Sequence, residues 1–303
     1  MNDHSSLLSK AAPLAVTVAA VAVVAEIGMA QVAAISPERV TFPSADGRIS
    51  LVGYLYRPRE LNAERAPAVV MMHGRAGAYS TRANGVFDGS TLSQRHQFWG
   101  RLWSEHGYIA ILVDGFGPRG YPQGFPRFSY ETRPAELSEV TVRPLDAYGA
   151  LAYLRSRADV VADRIGLQGW SNGASAALST MAVNAPGIAE PTPATGFRAA
   201  LVFYPACGLK GKFDKDGYRP YAPVRVLHGS ADKEVSAKRC AALVERSRAH
   251  GGDIDLRLYR GATHGFDDPG RKRQRIDANA VALRDARAHS LAFFAQQLKN
   301  RSD

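Results

Sequence analysis

The sequence is short of cysteine, of long apolar runs and of repeats, and each scarcity narrows what it can be. Two cysteines in 303 residues cannot frame a disulfide-built scaffold. No set of His, Cys, Asp and Glu has metal-site spacing, so neither metal nor cofactor is expected. No apolar run is long enough to cross a bilayer comfortably, and no repeat or low-complexity linker divides the chain. Acidic residues are outnumbered, 28 against 38 Lys and Arg, for a formal charge of +10. The basic residues are scattered. Their one dense run, Arg271-Lys272-Arg273-Gln274-Arg275, comes without the aromatic or helical readout elements of a nucleic-acid interface. Nucleic acid is therefore not an expected partner, whereas weak attraction to anionic substrates is. The remaining composition, 46% hydrophobic and 22% charged, is enough for a full core.

At the N-terminus, Lys10 precedes Ala11 to Ala25, a stretch built almost wholly of Ala, Val, Leu and Thr, and Gly28-Met29-Ala30 follows as a small-x-small cleavage pattern. This predicts a signal peptide at 1–30 and a single domain at 31–303, exported to the periplasm or beyond, with no stable membrane association after processing. The alternative is an uncleaved membrane anchor. No cysteine near the cleavage pattern suggests a lipoprotein.

Beyond that segment, strands and helices alternate. Two β-rich runs, Arg39 to Phe42 and Ile49 to Tyr56, flank the turn at Ala45-Asp46-Gly47, a hairpin signal. Ala68–Met72 is a short, continuous apolar run of the kind a buried parallel strand shows, and further strands are expected at Tyr108–Val113, Arg164–Gly169, Ala199–Tyr204, Val224–Leu227 and Ile254–Tyr259. Helical spacing covers Ser93–His106, Glu139–Arg157, Ser236–His250 and about Asp277–Leu298. The pattern predicts an α/β fold with a mostly parallel central sheet and helices on both faces.

One stretch organises the rest. Arg164 to Leu178 contains Gly169-Trp170-Ser171-Asn172-Gly173 between an apolar run and a helix-favouring segment. A serine hydroxyl needs a base within reach, and a sharp strand-to-helix turn holds it clear of the backbone. That turn leaves room only for hydrogen at Gly169 and Gly173, and it aims the Asn172 N–H at a developing oxyanion. The base expected is His264, in the loop after the last strand. His228, His250 and His289 lie at a strand end, a helix end and inside a helix. Asp232, just after a strand, is the expected orienting acid, whereas Glu234 reads as a helix N-terminal carboxylate and Asp114 as structural. His73-Gly74-Arg75-Ala76-Gly77 follows the first parallel strand, where this architecture places its second oxyanion donor, here the Arg75 N–H. His73 itself reads as a loop anchor.

Taken in order, Gly-Trp-Ser-Asn-Gly, His-Gly-Arg-Ala-Gly, His-Gly-Ser-Ala-Asp and Gly-Ala-Thr-His-Gly-Phe resemble the dienelactone hydrolase family of α/β-hydrolases over about residues 45 to 300. The resemblance implies an α/β-hydrolase fold and hydrolysis of a small carboxylic ester or lactone by Ser171, Asp232 and His264. The founding enzymes of the family carry a cysteine nucleophile and an acidic residue in the oxyanion loop. Ser171 and Arg75 stand here instead, which favours a general serine esterase working through an acyl-enzyme. The rival readings are a peptidase of the prolyl-oligopeptidase type, against which the lack of a large N-terminal propeller speaks, and a silent member that only binds its ligand, against which a complete triad speaks.

The substrate pocket is expected beneath the aromatic loop from Gly115 to about Ser138, with Phe116, Arg119, Tyr121, Trp170 and the Arg75 side chain as substrate-binding residues and the loop Ala78 to Leu92 as the other wall. Gly208 to Gly217 is short and polar, so no large cap is expected, and an apolar, shallow pocket follows. Cys207 and Cys240 flank the Asp232 loop and are expected to pair rather than stay as free thiols. Oligomeric state and natural substrate are not legible.

Overall fold

The computed structural model describes Met1, residues 37–60 and residues 63–300. Apart from Met1, the expected signal segment lies outside the described residues. Among these, no helix is long and apolar enough to cross a membrane.

The sheet begins with the expected hairpin, β1 (Glu38–Pro43) and β2 (Ser50–Tyr56), closed by Gly47 in a left-handed conformation at φ +69°. There follow β3 (Ala66–Met72), α1 (Gln94–Glu105), β4 (Ile109–Asp114), α2 (Arg143–Arg155), β5 (Val160–Trp170), α3 (Asn172–Met181), β6 (Ala199–Phe203) and β7 (Val224–Gly229). The chain then continues through α4 (Ala237–Ala249), β8 (Ile254–Tyr259), α5 (Arg271–Gln274) and α6 (Asp277–Phe294). The strand order is β1-β2-β4-β3-β5-β6-β7-β8. β1 and β2, and β2 and β4, pair antiparallel; the other neighbours are parallel.

The alternation along β3 shows how the sheet is buried. Val70 and Met72 join one core with Leu151 of α2, Leu178 of α3 and Leu243 of α4. Val69 and Met71 join the other with Trp99 and Trp103 of α1 and Phe294 of α6. With helices on both faces, every β3 side chain must be apolar, which is why the run is continuous rather than alternating. β4 lies on one side of β3 and β5 on the other. The carboxyl ends of β3 and β5 therefore open into the crevice where such sheets place a ligand.

One segment starts later than the sequence suggests, and two others keep their expected extent but take a more specific form. The helix expected from Glu139 starts at Arg143 with Pro144 behind it, because proline is preorganised for a first helical turn and cannot continue an earlier one. The last helix runs on past Phe294 as a π-turn, Ala295–Lys299. The aromatic loop is not structureless: 3-10 turns form at Gly117–Arg119, Tyr130–Thr132 and Ala135–Leu137.

Cys207 and Cys240 form a disulfide across 33 residues of chain. It ties the segment after β6 to α4. Closing a loop of that size stabilises by about 4 kcal/mol in the chain-entropy model. Replacing both cysteines by serine is expected to lower the unfolding free energy in urea by about that amount, and an unchanged denaturation midpoint would count against it.

Three buried histidines make stability depend on pH. Burial pushes His73 well below 6.5 and His228 below it, and holds His96 at about 4. All three stay neutral in the fold, whereas the unfolded chain takes up their protons as pH falls through about 6.5. Stability is therefore full above that pH and is lost on acidification towards the folded values. Between pH 7.5 and 5.5 the loss should be roughly 3 kcal/mol from His73 and His96, with a further contribution of the same sign from His228, read as a drop in unfolding free energy. A flat profile there would mean that the three histidines are not buried as neutral rings.

Candidate active site

Ser171 stands between β5 and α3 with φ 53° and ψ −115°, a backbone that costs a non-glycine residue on the order of 1–3 kcal/mol. The surroundings enforce it. A Cβ on Gly169 would run into the Gly173 carbonyl, and one on Gly173 into the Met72 and His73 carbonyls. The Ser171 N–H donates to Phe203 O at 2.9 Å, fastening the turn to the end of β6.

Asp232 comes from the loop after β7 and His264 from the loop after β8. A Cβ on Gly229 would collide with the Ala262 carbonyl, so the two loops touch where the Asp232 segment begins. His264 Nδ1 donates to Asp232 Oδ2 at 2.7 Å, and His264 Nε2 lies 3.0 Å from Ser171 Oγ. With its Nδ1–H engaged by the carboxylate, the imidazole offers its Nε2 lone pair to the serine hydroxyl. The other Asp232 oxygen, Oδ1, accepts from the Glu234 and Val235 N–H groups at 2.8 and 3.0 Å. Burial works against the Asp232 charge, but the hydrogen bond and charge of His264 and the two backbone donors outweigh it and hold the carboxyl below the usual range.

Opposite the serine lies the loop after β3. A Cβ on Gly74 would stand 3.1 Å from the Trp170 carbonyl and 3.4 Å from Ser171 Cβ, so the His73–Gly77 loop passes directly over the turn. The Asn172 N–H is the first of α3 and has no carbonyl one turn back to bond. The Arg75 carbonyl accepts from Phe125 N at 2.8 Å, while the Arg75 N–H meets no backbone acceptor among the described residues. His73 is the loop anchor: Nδ1 donates to Gly74 O at 2.7 Å and Nε2 accepts from Gly115 N at 3.2 Å. Asp114 takes the Phe116 and Gly117 N–H groups and the Tyr79 hydroxyl.

A cavity of about 690 Å³ opens at Ser171. Its walls differ from the expected ones. Arg75 lines it, but Phe116, Arg119, Tyr121 and Trp170 do not. Phe116 is fully buried against His73. Arg119 is spent on a two-pronged pair with Asp146, at 2.9 and 2.7 Å. Tyr121 packs on Phe125 and donates to Glu136. Trp170 is buried with its indole N–H on Asp267 at 2.7 Å. From the aromatic loop it is Phe128, Tyr130, Glu131 and Arg133 that line the cavity, and the opposite wall is Ala206–Gly211 with Asp214 and the α4 residues Arg239 and Arg246. The Ala78–Leu92 loop contributes nothing to it; Tyr79 is buried and bonded to Tyr54 and Asp114. The pocket is thus mixed: apolar side chains such as Phe128, Leu209 and Val235 share its wall with charged ones such as Glu131, Arg133 and Asp214.

Glu234 is not a helix N-terminal carboxylate. Its Oε2 accepts from the Arg75 side chain at 3.2 and 3.3 Å, its Oε1 lies 2.8 Å from Arg127 Nε, and Oε2 is 3.7 Å from His264 Nε2. The Arg75 guanidinium is therefore already paired. Asp267, which in sequence is only a further carboxylate beyond the histidine, is fully buried, accepts from Trp99, Trp170 and Tyr204 and pairs with Arg95. It fixes the loop carrying His264, and the Tyr204 ring lies 4.5 Å from the His264 ring. Its partners come from α1, β5 and the end of β6, so no local pattern marks it.

The model of the dienelactone hydrolase family matches residues 51–298. The chain belongs to the dienelactone hydrolase family. Among this family member's relatives is a Bradyrhizobium protein described as a probable 2-oxo-3-(5-oxofuran-2-ylidene)propanoate lactonase, 26% identical over 72% of this chain and 80% of its own. Human dipeptidyl peptidase 8 is 25% identical over 77% of this chain, which spans only 26% of that enzyme's length. Among solved structures, Thermogutta terrifontis esterase 2 phosphorylated by paraoxon superposes with a TM-score of 0.60 at 18% identity, over 88% of this chain and 97% of that one. The same esterase with butyrate bound gives 0.58 at 19% identity, over 88% and 97%.

Proposed function

We propose that this dienelactone hydrolase family member is an exported serine esterase that cleaves small carboxylic esters or lactones through an acyl-enzyme. The observation that carries the reading is the hydrogen-bonded line from Ser171 Oγ to His264 Nε2 to Asp232 Oδ2, at 3.0 and 2.7 Å. Ser171 Oγ attacks the ester carbonyl as its proton passes to His264 Nε2, and the imidazolium is held by Asp232. The Arg75 and Asn172 N–H groups receive the charge on the carbonyl oxygen. Collapse expels the alcohol with the proton from Nε2; water then repeats the sequence and frees Ser171. In a lactone the alcohol remains tethered to the acyl group.

The lactonase named above and the esterase holding butyrate support a small acyl group. Export rests on the 1–30 segment, with cleavage near Gly28-Met29-Ala30, and the disulfide suits an oxidising compartment. The mass of the secreted protein tests it.

Charged groups set among the apolar ones limit how far an acyl chain can extend, which favours short acyl chains. A methylene gains about 0.8 kcal/mol only where it leaves water for an apolar surface, and an alkyl chain reaching past the apolar patch would lie against the cavity's cations and carboxylates. In a p-nitrophenyl ester series, kcat/KM should peak at acetate to butyrate and be at least about tenfold lower for laurate, with no rise in rate at the micelle threshold. A preference for emulsified long-chain triglyceride would overturn the assignment of substrate size. Arg119 cannot attract a substrate carboxylate, being paired; Arg133, Lys210, Arg239 and Arg246, which line the cavity, take over that role.

A further inference from the structure

Arg143, the first residue of α2, is fully buried and touches both backbone segments that flank Ser171. One guanidinium nitrogen, Nη1, donates to the His73 carbonyl at 2.8 Å and to Asn172 Oδ1 at 2.6 Å. Asn172 is gripped from its other side as well, its Nδ2 donating to Glu139 Oε2 at 3.2 Å. The Phe116 ring covers the guanidinium at 5.0 Å and meets the His73 ring edge-on at 4.5 Å. His73 lies two residues before Arg75, and Asn172 follows the serine.

We propose that Arg143 is a positioning residue that locks the Arg75 and Asn172 N–H groups into one oxyanion hole. The inference rests on the serine esterase reading and adds a part to it. A buried cation is an expensive way to fill a core, because its desolvation costs several kcal/mol. A leucine or methionine there would pack without that cost, but neither could hold two acceptors from separate segments. The spacing between oxyanion donors matters because they act only when preorganised around the position the oxyanion will take. The charge also serves. Burial brings Arg143 down to about 10, against the pull of Asp146, Glu139 and Asp114 and with the repulsion of Arg119, so it stays positive at neutral pH. A fixed positive charge behind the hole favours the tetrahedral intermediate over the neutral ester.

Two variants test this. Arg143→Met removes the brace. Asn172→Ala cuts its link to α3 while leaving the backbone N–H in place. Each is assayed with p-nitrophenyl acetate and normalised to the acylation burst, so that unfolded protein does not count. Removing an oxyanion donor outright costs about 10²- to 10³-fold in kcat, so loosening two should cost about 10- to 100-fold. KM should stay within about threefold, and the inhibition constant of phenylboronic acid, which forms a tetrahedral adduct with the serine, should rise in step with the loss in kcat. A merely structural arginine would lower the melting temperature and leave kcat per titrated site and boronate affinity unchanged. That result in Arg143→Met, or in Asn172→Ala alone if the first variant does not fold, would overturn the proposal. Absence of Ser171-dependent hydrolysis of p-nitrophenyl acetate by the wild-type protein would instead overturn the esterase reading.

Discussion

Replacing Ser171 with alanine is expected to lower kcat on p-nitrophenyl acetate by about 10⁴- to 10⁶-fold. Among the described residues no second nucleophile is placed to take over. Ser171 Oγ is the atom within 3.0 Å of His264 Nε2, and the nearest carboxylate to that nitrogen, Glu234 at 3.7 Å, is held by Arg75 and Arg127. The oxyanion donors and the cavity survive the substitution, so a residual rate above that in water should persist. Stability should change by less than about 0.5 kcal/mol, because the elbow is enforced by the packing around Gly169 and Gly173 rather than by the hydroxyl. Loss of activity with loss of fold would not fit this account.

Asp232→Asn is expected to cost about 10⁴-fold in kcat with the fold intact. The direction follows from the two faces of the carboxylate. Oδ1 accepts from the Glu234 and Val235 N–H groups, so an asparagine must place its oxygen there and turn its NH2 towards His264 Nδ1. That nitrogen would then accept instead of donate, the proton would move to Nε2, and Nε2 could no longer take the serine proton. Asp232→Ala should lose a comparable amount of activity and more stability, since it also strips both backbone donors of their acceptor. An Asp232→Asn variant with near-normal kcat would show that His264 is oriented by something else.

Much of the fold was legible because central strands such as β3 and β4 are almost wholly apolar, as strands buried on both faces must be, and because helical spacing alternates with the strands. The grouping of Ser171, Asp232 and His264 was legible for a related reason: each follows a strand, and the sheet gathers strand ends at one edge. The pocket was not legible, because side-chain facing is settled by distant partners. Arg119 finds Asp146 27 residues away, Trp170 finds Asp267 97 residues away, and Arg75 finds Glu234 159 residues away. Nothing local distinguishes an arginine that will greet a substrate from one already spent. The Gly208–Gly217 segment misled for another reason. Its composition suits a plain connection, but the Cys207–Cys240 bond fastens its start to α4, and it becomes a wall of the cavity. Arg143 gave no signal at all, since an arginine at a helix start is ordinarily solvated.

The most direct test of the central claim is to trap the intermediate. The wild-type protein is mixed with p-nitrophenyl butyrate, quenched in acid within the burst phase and measured by intact mass and peptide mapping. The account predicts a single butyryl adduct on the peptide carrying Ser171, absent from Ser171→Ala. Full turnover with no adduct on that peptide, or an adduct at another residue that persists in Ser171→Ala, would contradict it.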